Sequence, residues 1–483
     1  MKVKYKKLFI CFLGIYAFTA HAASFGTGNK QPTIHKKKKV TVTHAEAPMT
    51  KPTITMPILA AYKPSSVTAF DPKQIFVPQK ILPRANIDGN IRLYDFDRHF
   101  SRHGTKDQTA FSLGGKINAL TDLFLDHFRL GGTVYTAQSL GINSHNPARQ
   151  DASLPATPLT TVGQAFLQFE NPYFMGRLGD SLINTPWLNP ADSRMIPSTY
   201  QVLYGVFAPW QSLNTPDNYL NCTLLRQIRF KSRTADSFTQ SNLYNINSYT
   251  VASTTIPALG NTTDIGTLAV GAQYKHKTLS VQTWAYKFYN FARMYYADFK
   301  YILPTKTLFR PVIGAQILNN PPDGNNVIGS LGIGAVKSSA YGILVGSEIG
   351  NGQILFGWNN IPKRTGGYRN GDIVSPYTSG YTADPLYTTS MVEGLVELAA
   401  GSARKLTGSY AFLDHQIEVA ATGAQYFIQP FLVNSSEIDL DAAYTPVPIF
   451  KRSLSIRGRV GFVSHTTSGK LTYSRLMLEY DFA

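Results

Sequence analysis

Arg457 and Arg459 stand two residues apart in the stretch Ser453 to Phe462, where Leu454, Ile456, Val460 and Phe462 alternate with Ser455 and the two arginines. A guanidinium donates in a planar fork that grips a carboxylate through two bonds, so two in one row could hold a small carboxylate and hand it on. In an extended strand, period-two alternation puts both arginines on one face and the aliphatic residues on the other. The same parity sets Arg475 with Met477, Glu479 and Asp481 against Leu476, Leu478, Tyr480 and Phe482. It also sets Lys300 with Tyr296 and Asp298 against Tyr295, Ala297, Phe299 and Tyr301. The alternative is that these cations pair with acids such as Glu479, Asp298 or Asp441 and merely solvate a polar wall. The residues leave both open.

Other chemistry is poorly supported. His35 and His44 have no acidic or cysteine partner at ligand spacing, so no metal and no cofactor is expected. Asp414-His415 is an acid–base neighbour pair of the kind a barrel hydrolase could use, but adjacent residues on a strand face opposite ways. Asn351-Gly352 and Gly366-Gly367 read as turns rather than phosphate cradles. With only Cys11 and Cys222 among 483 residues, a disulfide scaffold and a cysteine-based zinc ribbon are excluded.

The elements that would position the arginines are strands. After residue 22 nothing approaches the roughly 18 consecutive apolar residues of a membrane helix. Alternation recurs instead, as in Leu268, Val270, Ala272 and Tyr274 against Ala269, Gly271, Gln273 and Lys275, followed by a short turn and another strand near Leu279. A closed barrel needs only one apolar face per strand, so hydropathy windows miss it. At about 9–11 residues per membrane strand, the segment from 91 onward has room for about 16 to 18 of them. The expected fold class is all-β, a transmembrane antiparallel β-barrel. Tyr295, Phe299, Ile354, Phe356 and Trp358 are placed for an interfacial girdle.

Residues 1–22 read as a signal peptide: Lys2, Lys4, Lys6 and Lys7, then an apolar run from Leu8 to Phe18, then Ala20 and Ala22, with cleavage after Ala22. Residues 23–86 form a basic, Pro/Lys/Thr-rich extension with no apolar periodicity, expected to be disordered, and the barrel occupies 87–483. More than half of the net charge of +17 lies before residue 91, with Lys36 to Lys39 as its centre. The barrel segment is therefore close to balanced, and an exported chain is an improbable nucleic-acid binder. The basic cluster could touch the cell wall; a solvated linker is the simpler reading.

Three blocks carry a resemblance to a known family. Ile91-Arg92-Leu93-Tyr94-Asp95-Phe96-Asp97-Arg98, the stretch Asn184-Thr185-Pro186-Trp187 to Arg194-Met195-Ile196-Pro197, and the tract Ser375-Pro376-Tyr377 to Asp384-Pro385-Leu386-Tyr387-Thr388-Thr389-Ser390 resemble the OprD family of outer-membrane, substrate-specific porins. The resemblance spans about residue 87 to the end. It implies an 18-stranded monomeric barrel with inward-folded constriction loops, assembled by the barrel machinery among lipid and lipopolysaccharide. It implies passive diffusion of small carboxylate-bearing solutes such as amino acids or peptides. It adds Arg92, Arg98 and Arg194 to Lys300, Arg457, Arg459 and Arg475 as channel-lining or substrate-binding residues. Two features depart from the family pattern: the long basic extension, and Ala483 following Phe482 where such chains end on an aromatic. A barrel hydrolase and a secreted β-rich binding protein remain the alternatives.

Overall fold

A computed structural model describes residues 84–482, apart from 103, 210–217, 245–249, 252–253, 256–265, 325–326, 331, 333, 429–433, 447–452 and 466–468. The signal peptide, all but the last three residues of the basic extension, and Ala483 lie outside the described residues.

The strands in chain order are β1 (Ala85–Phe100), β2 (Gln108–Thr121), β3 (Phe128–Gln138), β4 (Leu159–Asn171), β5 (Phe174–Ser181), β6 (Thr199–Phe207) and β7 (Asn218–Lys231), then a two-residue hairpin, β8 (Thr250–Val251) and β9 (Thr254–Thr255). There follow β10 (Thr267–His276), β11 (Leu279–Phe288), β12 (Ala292–Ile302), β13 (Phe309–Asn320), β14 (Ser338–Ile349), β15 (Gly352–Ile361), β16 (Gly401–Phe412), β17 (Ile417–Ile428), β18 (Asn434–Tyr444), β19 (Ser453–His465) and β20 (Gly469–Phe482). All but β8 and β9 form one 18-stranded antiparallel sheet, each strand bonded to its neighbours in sequence, with β7 meeting β10. β1 pairs with both β2 and β20, so the sheet closes on itself and leaves no edge. β1 begins two residues ahead of the boundary read at 87.

Alternation explains both faces. On β19 and β20, Leu454, Phe462 and Leu476 point outward and are exposed, while Arg459 and Arg475 are buried inside. Ile354, Phe356, Leu406, Ile438 and Leu440 extend the outward apolar belt, which is the surface a bilayer requires of a barrel. Among the described residues no helix is long and apolar enough to cross a membrane, which says nothing of the strands.

The connections differ at the two ends. Those at 122–127, 172–173, 277–278, 350–351 and 413–416 are short, whereas those at 139–158, 182–198, 232–266, 321–337 and 362–400 are long. Asp414 and His415 lie in one of the short turns, not on a strand, both with left-handed φ (50° and 67°).

Parity does not say what an inward face carries, and here much of it is aromatic. Trp284, Tyr286 and Phe288 stack along β11 at 5.7 and 5.5 Å between ring centroids. Trp187 from the 182–198 loop meets Tyr296 edge-on at 6.0 Å, and Tyr377 from the 362–400 loop meets Phe230 at 5.2 Å. The long loops therefore fold into the barrel and bury a hydrophobic core there, which narrows the lumen.

Candidate functional site

The opposite wall, built from β18, β19, β20 and β1, carries the arginines. Cross-strand register sorts them into levels. Arg92 stands beside Glu479; one level on, Arg457 stands beside Met477, which faces Tyr94; then Asp441, Arg459, Arg475 and Phe96 form a continuous row; then come Tyr473 and Arg98. Residues two apart on a strand are about 6.6 Å apart, so the guanidiniums climb the wall in steps of that size.

Their surroundings differ by level. Arg92 is gripped from two sides: Nη1 lies 2.8 Å from Asp192 Oδ1 and Nη2 lies 3.1 Å from Glu479 Oε1, and Nη1 also donates to the Arg194 carbonyl at 2.9 Å. Asn90 donates to the same Glu479 oxygen. Arg457 binds Asp441 through both prongs, Nε to Oδ1 at 2.8 Å and Nη2 to Oδ2 at 2.6 Å, and Arg459 Nε lies 2.7 Å from the same Oδ2. One carboxylate thus serves two guanidiniums and leaves the trio with a net positive charge. Across the two groups Arg92, Arg457 and Arg459 are matched by Asp192, Glu479 and Asp441, so the pairing reading is met and the excess of positive charge is local to the Arg457–Arg459 pair.

An open pocket of about 570 Å³ lies against this wall. Arg92, Arg457, Arg459 and Glu479 line it from the strands, and Asp192 and Asp384 from the loops that fold inward, Asp192 reaching Arg92 itself. Asn189 Nδ2 donates to the Ala383 carbonyl at 2.7 Å, tying the 182–198 loop to the 362–400 loop across the pocket floor. Burial opposes ionisation of Asp192, yet Arg92 holds its carboxyl below the usual range. Asp384 goes the other way: burial pushes it up to about 6, against donation from Thr389 Oγ1 and the Leu386 N–H.

Of the residues expected to line the channel, Arg92, Arg457 and Arg459 meet in this pocket. Arg98, Arg194 and Arg475 are buried and are not part of its lining. Lys300 points inward from β12, away from the pocket, in the charge field of Glu348 and Asp298.

The loop that closes the pocket is fastened to six strands, β13 and then β15 through β19. Gln316 on β13 donates to the Pro385 carbonyl at 3.1 Å and accepts from the Tyr387 N–H at 3.0 Å. Asn359 on β15 accepts from the Thr388 N–H at 3.1 Å, Lys405 on β16 donates to the Thr389 carbonyl at 2.6 Å, and Tyr426 on β17 donates to the Thr388 carbonyl at 2.7 Å. On β18, Glu437 accepts from the N–H groups of Val392 and Glu393 at 2.7 and 2.8 Å, and Asp439 from that of Met391 at 3.2 Å. His465 on β19 meets the Glu393 carboxyl at 3.2 Å. None of these wall residues was singled out in the sequence; each is polar on an inward parity, and only the cross-barrel distance reveals the partner.

Asp372, earlier in the same loop, is buried with Arg369 3.7 Å away and the Ile373 N–H 2.8 Å from its Oδ1. Burial raises it to about 8 against those contacts. The folded chain therefore holds this proton more tightly than the unfolded chain, so its contribution is complete at acid pH, declines as pH rises and is gone above about 8. Asp372→Asn keeps the acceptor and removes the charge. It is expected to raise the thermal midpoint more at pH 9 than at pH 4, where the unfolded carboxyl is also largely protonated; equal shifts at both would contradict this account.

No protein-family model matches the chain, and no curated protein matches it. Solved structures do. OccK9 (OpdG) of Pseudomonas aeruginosa aligns with a TM-score of 0.66 at 16% identity, covering 82% of this chain and 98% of its own. OccAB3 of Acinetobacter baumannii aligns at 0.65 and 14% identity over 82% and 99%, and a BenF-like porin of Pseudomonas fluorescens Pf-5 at 0.65 and 14% over 82% and 98%. The fold is that of the OprD-type porins. At these identities the likeness establishes the fold. The three blocks that resemble the family in sequence fall on β1 and on the two inward loops of this porin fold, at 182–198 and 362–400.

Proposed function

We propose that the chain is an outer-membrane porin through which small carboxylate-bearing solutes diffuse without an energy source. The observation that carries this reading is the open pocket flanked by Arg92, Arg457 and Arg459 and bounded by the two inward loops. A narrow pore has to replace a solute's hydration with wall charges while holding it weakly enough to let it go. Partly neutralised guanidiniums meet that need: Asp441 tempers Arg457 and Arg459, and Asp192 with Glu479 tempers Arg92. The apolar belt and the one-sided long loops support an outer-membrane location, with lipid and lipopolysaccharide outside and the barrel assembly machinery as the route in. One OpdK structure, from Pseudomonas aeruginosa and of the same fold, contains vanillate, which is a carboxylate.

Asp384 borders the pocket but is 1% exposed, with its carboxyl bonded to Thr389 Oγ1 and the Leu386 N–H, so the charges that a solute meets are those around Arg92 and Arg457; amino acids and short peptides enter the class through the family resemblance. The hydrolase reading gains nothing from Asp414 and His415, which sit in a short turn. Uptake into protein-loaded vesicles tests the proposal. Small carboxylates are expected to enter faster than amines of equal size and to need no gradient other than their own, whereas equal rates for both classes would refute the substrate assignment.

A further inference from the structure

Part of the arginine wall lines the open pocket, and part of it lies outside that lining. Arg98, Arg194, Arg233 and Arg475 are each at most 5% exposed. Leu154, Met195, Ile196, Met391 and Val392 belong to one buried apolar cluster with Phe96 and Tyr473, the two rings beside which Arg98, Arg194 and Arg475 stand. The four guanidiniums share neighbours. That of Arg475 lies 4.2 Å from the Tyr473 ring centre and 5.3 Å from that of Phe96, that of Arg98 lies 4.7 Å from Tyr473, and that of Arg194 lies 5.2 Å from Phe96. Arg233 stacks at 3.7 Å over Tyr381. Burial, and then the nearby charges of Arg475 and Arg233, push Arg194 well below its ordinary range.

One acid answers this group. Asp151 lies 3.1 Å from Arg98 Nε, and its carboxyl, though buried, is held below the usual range by Arg98 and Arg194. Among the described residues, Nε, Nη1 and Nη2 of Arg475 and Nε and Nη1 of Arg233 have no hydrogen-bond partner. Taking charges out of water without compensation is strongly unfavourable. Ring faces offset part of that, but they accept none of the five N–H directions of a guanidinium in its own plane.

We propose that Arg98, Arg233 and Arg475, beside Arg194, hold a resident inorganic oxyanion of the phosphate or sulfate type. Such an ion offers several acceptors to forks arriving from β1, β20 and the 232–266 loop, and its charge lowers the excess of four cations over one carboxylate. Because its arginines are buried and are not part of the open pocket's lining, the ion is a fixed part of the wall and not a solute in transit. It would also join the loops bearing Asp151, Arg194 and Arg233 to the barrel.

The test uses the full barrel purified in detergent, from cells supplied with phosphate, into chloride buffer of constant ionic strength. Anions released by acid denaturation are quantified by ion chromatography, and thermal midpoints are measured with and without added inorganic phosphate or sulfate. Wild type is expected to release close to one oxyanion per chain, or to rise in midpoint when phosphate or sulfate is restored. Arg475→Gln should reduce retention at least tenfold and abolish the rise, while Arg457→Gln, on the open row, should retain both. A wild type with no bound oxyanion and no response, or an Arg475→Gln variant that behaves as wild type, would overturn the proposal. If Arg475→Gln does not fold, Arg233→Gln takes its place, with the same outcomes. The detergent readout involves no transport, so this inference and the solute assignment can fail separately.

Discussion

Replacing Asp441 by Asn is expected to shift the channel about tenfold toward anions in the anion-to-cation permeability ratio. Asp441 is the shared counter-ion of Arg457 and Arg459, and both arginines line the open pocket. Losing it adds a full positive charge at the edge of the pocket proposed to carry the solute. At 4 Å and an effective dielectric of about 20 a unit charge is worth about 4 kcal/mol. Water in the pore weakens this, and about 1.4 kcal/mol is enough for a factor of ten. Asn preserves the side-chain shape and one acceptor, so the barrel ladders are undisturbed. The reversal potential in a salt gradient gives the ratio directly. The shift should shrink at 1 M salt, where the Debye length falls to about 3 Å. A variant with wild-type reversal potential at 0.1 M would mean that Arg457 and Arg459 do not face the conducting path.

The second large effect is expected at Glu437. Its two oxygens each accept a backbone N–H of the constriction loop, from Val392 and Glu393. Glu437→Gln keeps one acceptor and turns an amide N–H toward the other donor, so one buried N–H loses its partner. Leaving a buried donor unsatisfied costs about 1–3 kcal/mol, and one or two kcal/mol changes a two-state population about 5–30-fold. The loop segment around Met391 to Glu393 should therefore undock far more often. Single-channel traces of the variant are expected to show higher mean conductance and open-channel noise with unchanged sign of selectivity. Identical conductance and noise would mean that the fastenings from Gln316, Asn359, Lys405 and Tyr426 hold the loop without Glu437.

The fold was largely legible because alternation is local. Leu454 to Phe462 and Leu476 to Phe482 state their outward faces in a few residues, and Arg457, Arg459 and Arg475 follow by parity alone. The resemblance added strand number and the inward loops, and the structure contains both. What parity could not state is the partner of each inward residue. Asp441 was a candidate counter-ion among several; the β18–β19 register, with Asp441 opposite Arg459, selects it. Nor could parity separate Arg459 from Arg475. They are direct cross-strand neighbours, yet one lines the pocket and the other stands beside Phe96, which shares a buried cluster with Met391 and Met195, residues distant in sequence whose positions depend on how the loops pack. Lys300 shows the same limit: its inward parity is correct, but it lies on the wrong part of the circumference to meet the arginine row. The aromatic interior of Trp284, Tyr286 and Phe288 escaped for a related reason, because a period-two stretch of large rings reads equally well as a lipid-facing girdle or a lumen-facing core.

The central claim is that small carboxylates pass through an open pore beside Arg92, Arg457 and Arg459. Single-channel recording of the purified, folded wild-type barrel in a planar bilayer tests it most directly, with a small carboxylate and then an amine of equal size added to one side. The account predicts discrete conductance steps, brief concentration-dependent blocks by the carboxylate, and no comparable blocks by the amine. Inserted, folded protein that gives no steps, or steps on which the carboxylate leaves no mark, would contradict it.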